Sequence, residues 1–202
     1  MTFETSKTLS AVGALLIVLG AVLGFVISFS GALSLIGIIL LLIGLKGLAN
    51  FYKEEGIFNN ALYSMIIAVV GCVVGVGVMA ASAVSALADI GIDWANIEDW
   101  GNIGTDVGNV FTDFDFGSIA TLLGALLIGL IIFYVVLIIS MYFLRKSMNQ
   151  LSTKSGIGLF GTAGILVLIG AVIPVIGLLI IWIGFVLATA ALFQMKKEQT
   201  TT

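Results

Sequence analysis

Apolar residues fill six long runs along this 202-residue chain, and most polar residues lie between the runs. A hydrocarbon core about 30 Å thick takes roughly 20 helical residues to cross, so runs of this length predict membrane-spanning helices. The predicted spans are residues 9–29, 32–49, 61–88, 119–144, 157–173 and 175–195. We therefore expect an all-α fold: a bundle of six transmembrane helices in three hairpins, forming a single transmembrane domain over residues 1–202.

Charged residues are rare, and their placement predicts an orientation. Hydrophobic residues make up 60% of the sequence and charged residues 9%, with a mean hydropathy of +1.26, which excludes a soluble globular domain. With six spans, all the basic residues fall on one side of the membrane: Lys7, Lys46, Lys53, Arg145, Lys146, Lys154, Lys196 and Lys197. Because basic loops stay on the cytoplasmic side, we predict a multi-pass protein of the cell membrane with both termini in the cytoplasm.

The segment between the third and fourth spans, residues 89–118, combines acidic residues with a stripe of large apolar ones. Trp94, Trp100 and further apolar residues recur three and four positions apart, and this spacing is typical of a helix. We predict an amphipathic helix on the outer membrane surface, with both tryptophans in the interface. Tyr52 and Lys53 are the predicted interface anchors on the cytoplasmic side.

The same outer segment holds seven carboxylates, which raises the alternative of a cation site, because Ca²⁺ and Mg²⁺ take oxygen ligands. Aspartates seven positions apart on a helix are about 10 Å apart, too far to share one ion. We therefore predict a solvated acidic face without a metal, and the cation site remains the second interpretation.

Glycines within the spans predict where helices pack. In lipid the hydrophobic effect does not drive helices together, so small residues that let backbones approach become important. Gly20 and Gly24, and likewise Gly71 and Gly75, are four positions apart and share a helix face. We predict that these four glycines contact neighbouring helices.

Catalytic chemistry has few candidates in this sequence. There is no histidine, which removes imidazole metal sites and serine–histidine pairs, and the one lysine in a span, Lys46, is near a helix end. We predict no catalytic, cofactor-binding or metal-ligating residue and no cofactor. The absence of a basic patch with interleaved aromatics also argues against nucleic acid.

Three functions follow from this picture. The first is a non-enzymatic structural or interaction role, with the lipid bilayer and a second copy or another membrane protein as partners. The alternative is a passive channel or carrier for a small neutral or weakly polar solute, lined by the hydroxyls of the spans. The third is an enzyme acting at the outer carboxylates.

Two cytoplasmic segments resemble a known family. They are residues 44–60, Gly-Leu-Lys-Gly-Leu-Ala-Asn-Phe-Tyr-Lys-Glu-Glu-Gly-Ile-Phe-Asn-Asn, and Arg145-Lys-Ser-Met followed by Gly156-Ile-Gly-Leu-Phe-Gly-Thr-Ala-Gly. Both are similar to the archaeal and bacterial membrane family catalogued as domain of unknown function 996. The resemblance implies a prokaryotic polytopic membrane protein and carries over no catalytic or ligand residue.

Overall fold

The computed structural model describes residues 1–23, 30–89 and 116–196, and every regular element in these ranges is an α-helix. The helices are α1 (Phe3–Leu23), α2 (Ser30–Tyr52), α3 (Glu55–Asp89), α4 (Phe116–Ser155), α5 (Gly158–Val172) and α6 (Ile176–Gln194). Five of them are long and apolar enough to cross a membrane. The remaining helix, α5, has 15 residues and is about 22 Å long. The predicted all-α polytopic membrane fold is confirmed.

The helices extend beyond the predicted spans. Helix α3 begins at Glu55 and not near residue 61, and α4 ends at Ser155 and not near residue 144. Hydropathy identifies only the apolar part of a helix. Polar turns remain helical because their backbone hydrogen bonds close within the helix, and lysine, arginine and glutamine are good helix formers. As a result, two predicted cytoplasmic loops shrink to the pairs 53–54 and 156–157.

The turn between α2 and α3 closes with a Schellman motif. Lys53 has a left-handed backbone (φ 50°), and its N–H donates to the Asn50 carbonyl at 3.4 Å. The Glu54 N–H donates to the Ala49 carbonyl at 2.9 Å. This position usually carries glycine, so a lysine here is strained. After α4 a glycine, Gly156 (φ 69°), occupies the left-handed position.

The turn between α5 and α6 contains Pro174, the only proline in the sequence. The Ile176 N–H donates to the Pro174 carbonyl at 2.8 Å, and Val175 between them has φ 65° and ψ −70°. These angles and this bond define a classic γ-turn, a rare and strained conformation. The turn brings the two helices back along each other.

The chain divides into two compact units. The first comprises Met1–Ala68 and Leu137–Thr202, and the second is Val69–Val136. The core of the first unit draws side chains from all six helices: Phe3, Ala11, Ala14, Leu45, Leu48, Ala49, Ile57, Ala61, Leu151, Phe160, Ala191 and Leu192, with Met195 just after α6. In the same unit the Trp182 indole N–H donates to the Val18 carbonyl at 3.3 Å, which joins α6 to α1.

The described residues of the second unit are the remaining parts of α3 and α4. A methyl group at Gly75 would lie 3.3 Å from Cβ of Phe133, and one at Gly129 would lie 2.6 Å from Cγ of Met79. Valines and leucines elsewhere on these helices are exposed, for example Val73 at 67%. An exposed apolar surface of this kind is suited to contact with lipid tails.

Candidate functional site

Buried polar side chains of the first unit are concentrated where α3 and α4 face each other. Ser140, Ser147 and Lys154 on α4 are seven residues apart, so they lie on one face of the helix. Each of the three bonds to a group at or just before α3. We call this row of contacts the α3–α4 polar seam.

Two serines of the seam tie the helices together through their hydroxyls. The Ser140 hydroxyl donates to the Ser64 carbonyl at 2.8 Å, and the two serine hydroxyl oxygens are 3.1 Å apart. The Ser147 hydroxyl donates to the Ile57 carbonyl at 2.5 Å. All three serines are at least 95% buried. A carbonyl oxygen has two lone pairs, so it accepts these bonds in addition to its helical one.

An amide pair continues the seam. The Asn60 amide donates to the Gln150 carboxamide oxygen at 2.9 Å and to the Gly56 carbonyl at 2.7 Å. Gly56 leaves room for the Gln150 carboxamide, since a methyl group there would lie 2.6 Å from the Gln150 oxygen and Gln150 would have to shift. Both N–H groups of the nearly buried Asn60 amide are therefore used within the protein.

The seam ends in an ion pair at the surface. The Lys154 ammonium is 3.3 Å from the Glu54 carboxylate, and both side chains are about a third or more exposed. An exposed pair of this kind contributes about 0–1 kcal/mol, because water screens it. It aligns the ends of the two helices more than it stabilises them.

A small cavity of about 30 Å³ lies beside the seam. Ser147 lines it, and the other walls are apolar: Ala14, Leu41, Leu45, Leu144, Met148, Leu151, Phe160, Phe185, Ala188 and Leu192. The volume is enough for one or two waters, but the only hydroxyl in the wall already donates to Ile57. An apolar cavity of this size stays dry and offers no place for a solute.

Helices α1 and α2 meet through glycines and serines. A methyl group at Gly37 would lie 2.7 Å from the Gly13 carbonyl oxygen, so the two backbones touch there. Gly44 faces Ser10. The Ser10 hydroxyl is fully buried and, within the described part of the chain, has no hydrogen-bond partner.

Among the glycines predicted to contact other helices, Gly20 lies against the Ser34 hydroxyl and Gly71 against the Val136 side chain. Both glycines face a neighbouring helix at a distance that a larger side chain would prevent. Gly24 lies outside the described residues.

Of the residues predicted to anchor the membrane interface, Tyr52 and Lys53 lie within the described part of the chain. The Tyr52 ring packs edge-on against Phe3, with 6.4 Å between ring centroids, at the end of α2. Lys53 is exposed in the turn described above. Trp94 and Trp100, with the rest of the predicted surface helix from residue 90 to 115, lie outside the described residues.

Sequence reasoning did not single out Ser147 or Gln150. The seven-residue spacing of Ser140, Ser147 and Lys154 could have indicated a polar helix face. Gln150 has no such pattern, since its partner Asn60 is 90 residues away in the chain.

Comparison with known proteins places the chain in a family. A family described as "Protein of unknown function (DUF996)" matches residues 33–192. The "Uncharacterized protein MJ1644" of the archaeon Methanocaldococcus jannaschii is 23% identical over 200 residues, which cover 98% of this chain and 96% of that protein. No solved structure matches the chain. The family match covers most of the sequence, including the two segments that carry the resemblance, and confirms it, so this chain belongs to the DUF996 family.

Proposed function

We propose that this protein is a non-enzymatic membrane protein with a structural or interaction role. The observation that carries the proposal is the α3–α4 polar seam, in which the hydroxyls and amides bond to each other and to backbone carbonyls. Polar side chains used in this way hold helices together in lipid. They are not directed at a shared point where a substrate could bind.

The alternative function, a passive channel or carrier for a small neutral solute, requires span hydroxyls that face a water-filled path. In the first unit the Ser64 and Ser140 hydroxyls face each other. The Thr189 hydroxyl donates to the Phe185 carbonyl of its own helix at 2.8 Å. These contacts favour the structural role, because a hydroxyl that lines a path would be free to bond to the solute.

Both termini are proposed to lie in the cytoplasm, and the protein in the cell membrane, because all eight basic residues then share one side. This topology requires the short helix α5 to cross. Phe160 in its first turn shares a core cluster with Leu192 in the last turn of α6. At its other end, a methyl group at Gly170 would lie 2.6 Å from the Gly177 carbonyl in the first turn of α6. Helices α5 and α6 therefore span the same depth of the membrane. If α6 crosses the membrane, α5 crosses it too.

The proposed partners are the lipid bilayer and either a second copy of the chain or another membrane protein. Large apolar side chains on α2, α3 and α4 are exposed, among them Leu35 at 61% and Ile131 at 59%. Lipid tails or an apolar face of another transmembrane helix would cover such a surface.

A flux experiment tests the proposed function. The full chain is reconstituted into vesicles, and swelling in urea and glycerol gradients is followed by stopped-flow light scattering. We expect vesicles that contain the protein to swell at the same rate as protein-free vesicles, because the hydroxyls of the seam are hydrogen-bonded within the protein. Faster swelling of protein-containing vesicles that is lost in Ser140→Val would replace the structural role with the channel alternative.

Cysteine labelling tests the topology. In a Cys72→Ser background, Asn102→Cys should react with an impermeant thiol reagent in intact cells, and Thr200→Cys should react only after lysis. Labelling of Thr200→Cys in intact cells would place the C-terminus outside and contradict the six-span arrangement.

A further inference from the structure

Lys46 is a cation on the apolar surface of α2, and no carboxylate of the described residues forms an ion pair with it. It lies six residues before the end of α2 at Tyr52, which places its Cα about 9 Å below the end of the helix. The side chain is exposed. In residues 1–23, 30–89 and 116–196 the ion pairs join Lys7 to Glu4 and Lys154 to Glu54, and Lys46 takes part in neither.

An open groove of about 230 Å³ begins at this lysine. Its walls are Ile39, Leu42, Ile43, Lys46 and Phe58. Ile39, Ile43 and Lys46 follow each other at four and then three positions, so they line one face of α2 over about 10 Å. Phe58 on α3 forms the other wall.

The ammonium group lies over the Phe58 ring, with Nζ 5.7 Å from the ring centroid. Both residues line the groove, so the ammonium lies at its edge, and the face of an aromatic ring attracts a cation. It does not neutralise the charge. A lysine close to the hydrocarbon region is costly unless an anion or water reaches it, so an anionic group beside Nζ would be favourable.

The groove and the lysine together match the two parts of one kind of molecule. Four apolar side chains suit a hydrocarbon chain, and the ammonium suits an anionic headgroup. Free phosphate would leave the apolar walls unfilled. In a lipid without net charge, the headgroup's own cation already offsets the phosphate, so its attraction to Lys46 is weaker than that of a lipid with a net negative charge. We propose that this groove binds one lipid with an anionic phosphate headgroup, with the phosphate at Lys46 and one chain along Ile39 and Ile43.

Native mass spectrometry of the delipidated full chain in detergent tests the proposal. The probes are dioleoyl phosphatidylglycerol, which is anionic, and dioleoyl phosphatidylcholine, which has no net charge. We expect one phosphatidylglycerol per chain to bind about fivefold more tightly than phosphatidylcholine, the order expected for one lysine beside an anionic lipid. Lys46→Gln should remove this preference, and Lys46→Arg should keep it.

Two further variants separate a built site from general surface charge. Lys146→Gln removes an exposed lysine on α4 and should leave the preference unchanged. Ile43→Trp fills the groove and should weaken binding of both lipids, although Lys46 remains. The melting temperature of each variant establishes that it is folded.

Three results would overturn the proposal. Equal loss of preference in Lys46→Gln and Lys146→Gln would indicate general surface charge. Unchanged binding in Ile43→Trp would show that the groove holds no chain. Displacement of phosphatidylglycerol by inorganic phosphate at equal concentration would mean that the headgroup alone is recognised.

Discussion

Replacing Gly37 by alanine should weaken the α1–α2 hairpin, because the missing side chain lets the two backbones touch. The added methyl group would lie 2.7 Å from the Gly13 carbonyl oxygen and 3.0 Å from both the backbone nitrogen and Cγ1 of Ile17. Two of these three atoms belong to the backbone of α1. The clash therefore cannot be relieved by rotating one flexible side chain.

The magnitude follows from two opposing effects. The closest approach is about 0.7 Å short of an ordinary contact of 3.4 Å, so α1 must shift. Overpacking of this kind costs about 1–3 kcal/mol. Alanine regains up to about 1 kcal/mol, because glycine is the poorer helix former. The net expectation is a destabilisation of about 1–2 kcal/mol.

Thermal unfolding in detergent, followed by circular dichroism, measures this effect. For a chain of this size 1 kcal/mol corresponds to about 2–4 °C, so Gly37→Ala should lower the melting temperature by about 2–8 °C. Gly77→Ala is the matched control, because Gly77 also lies inside a helix and a methyl group there would meet no neighbouring helix or side chain of the described residues within 4 Å. The control should melt at or above the temperature of the parent protein.

The comparison of the two variants decides the argument. If Gly37→Ala and Gly77→Ala both melt at the temperature of the parent protein, the backbones of α1 and α2 are not in contact at Gly37. If both variants melt lower, an added methyl group destabilises the protein even where it has open space, and the loss in Gly37→Ala is not evidence of close packing in the hairpin.

Two further changes address the turns and the seam. Lys53→Gly should raise the melting temperature by about 2–8 °C, because the left-handed conformation costs a lysine about 1–2 kcal/mol. Gly156→Ala is the reverse change at another left-handed position and should lower the melting temperature, and a loss of stability in Lys53→Gly would contradict the strain. In a double-mutant cycle by denaturant titration, Ser64→Ala and Ser140→Ala should show a coupling of about 0.6 kcal/mol, typical of such bonds in membrane proteins, and strictly additive losses would mean that the two serines act separately.

The helices show which parts of the fold could be predicted from the sequence. The apolar runs predicted every helix found in the described ranges, and the polar segment containing Lys53 correctly predicted a break between the second and third helices. The same segment was predicted as a loop over residues 50–60, although Glu55 to Asn60 are helical. Hydropathy could not detect this, because a polar helical turn and a polar loop have the same composition.

Only part of the candidate site could be predicted from the sequence. Ser64 and Ser140 could be predicted to bond within the bundle, since a hydroxyl in lipid needs a partner. Their pairing with each other could not be predicted. It depends on how α3 and α4 are rotated and how far they are displaced along their axes, which a run of apolar residues does not encode.

By itself, the sequence determined that this protein is a polytopic α-helical membrane protein, because long apolar runs can satisfy their backbone in lipid only as helices. Only the tertiary structure decided which groups meet: Asn60 with Gln150, Gly13 with Gly37, and Lys46 with the Phe58 ring beside an apolar groove. The physical reason is that crossing the membrane is a property of each segment alone, whereas packing depends on the rotation and register of two segments at once.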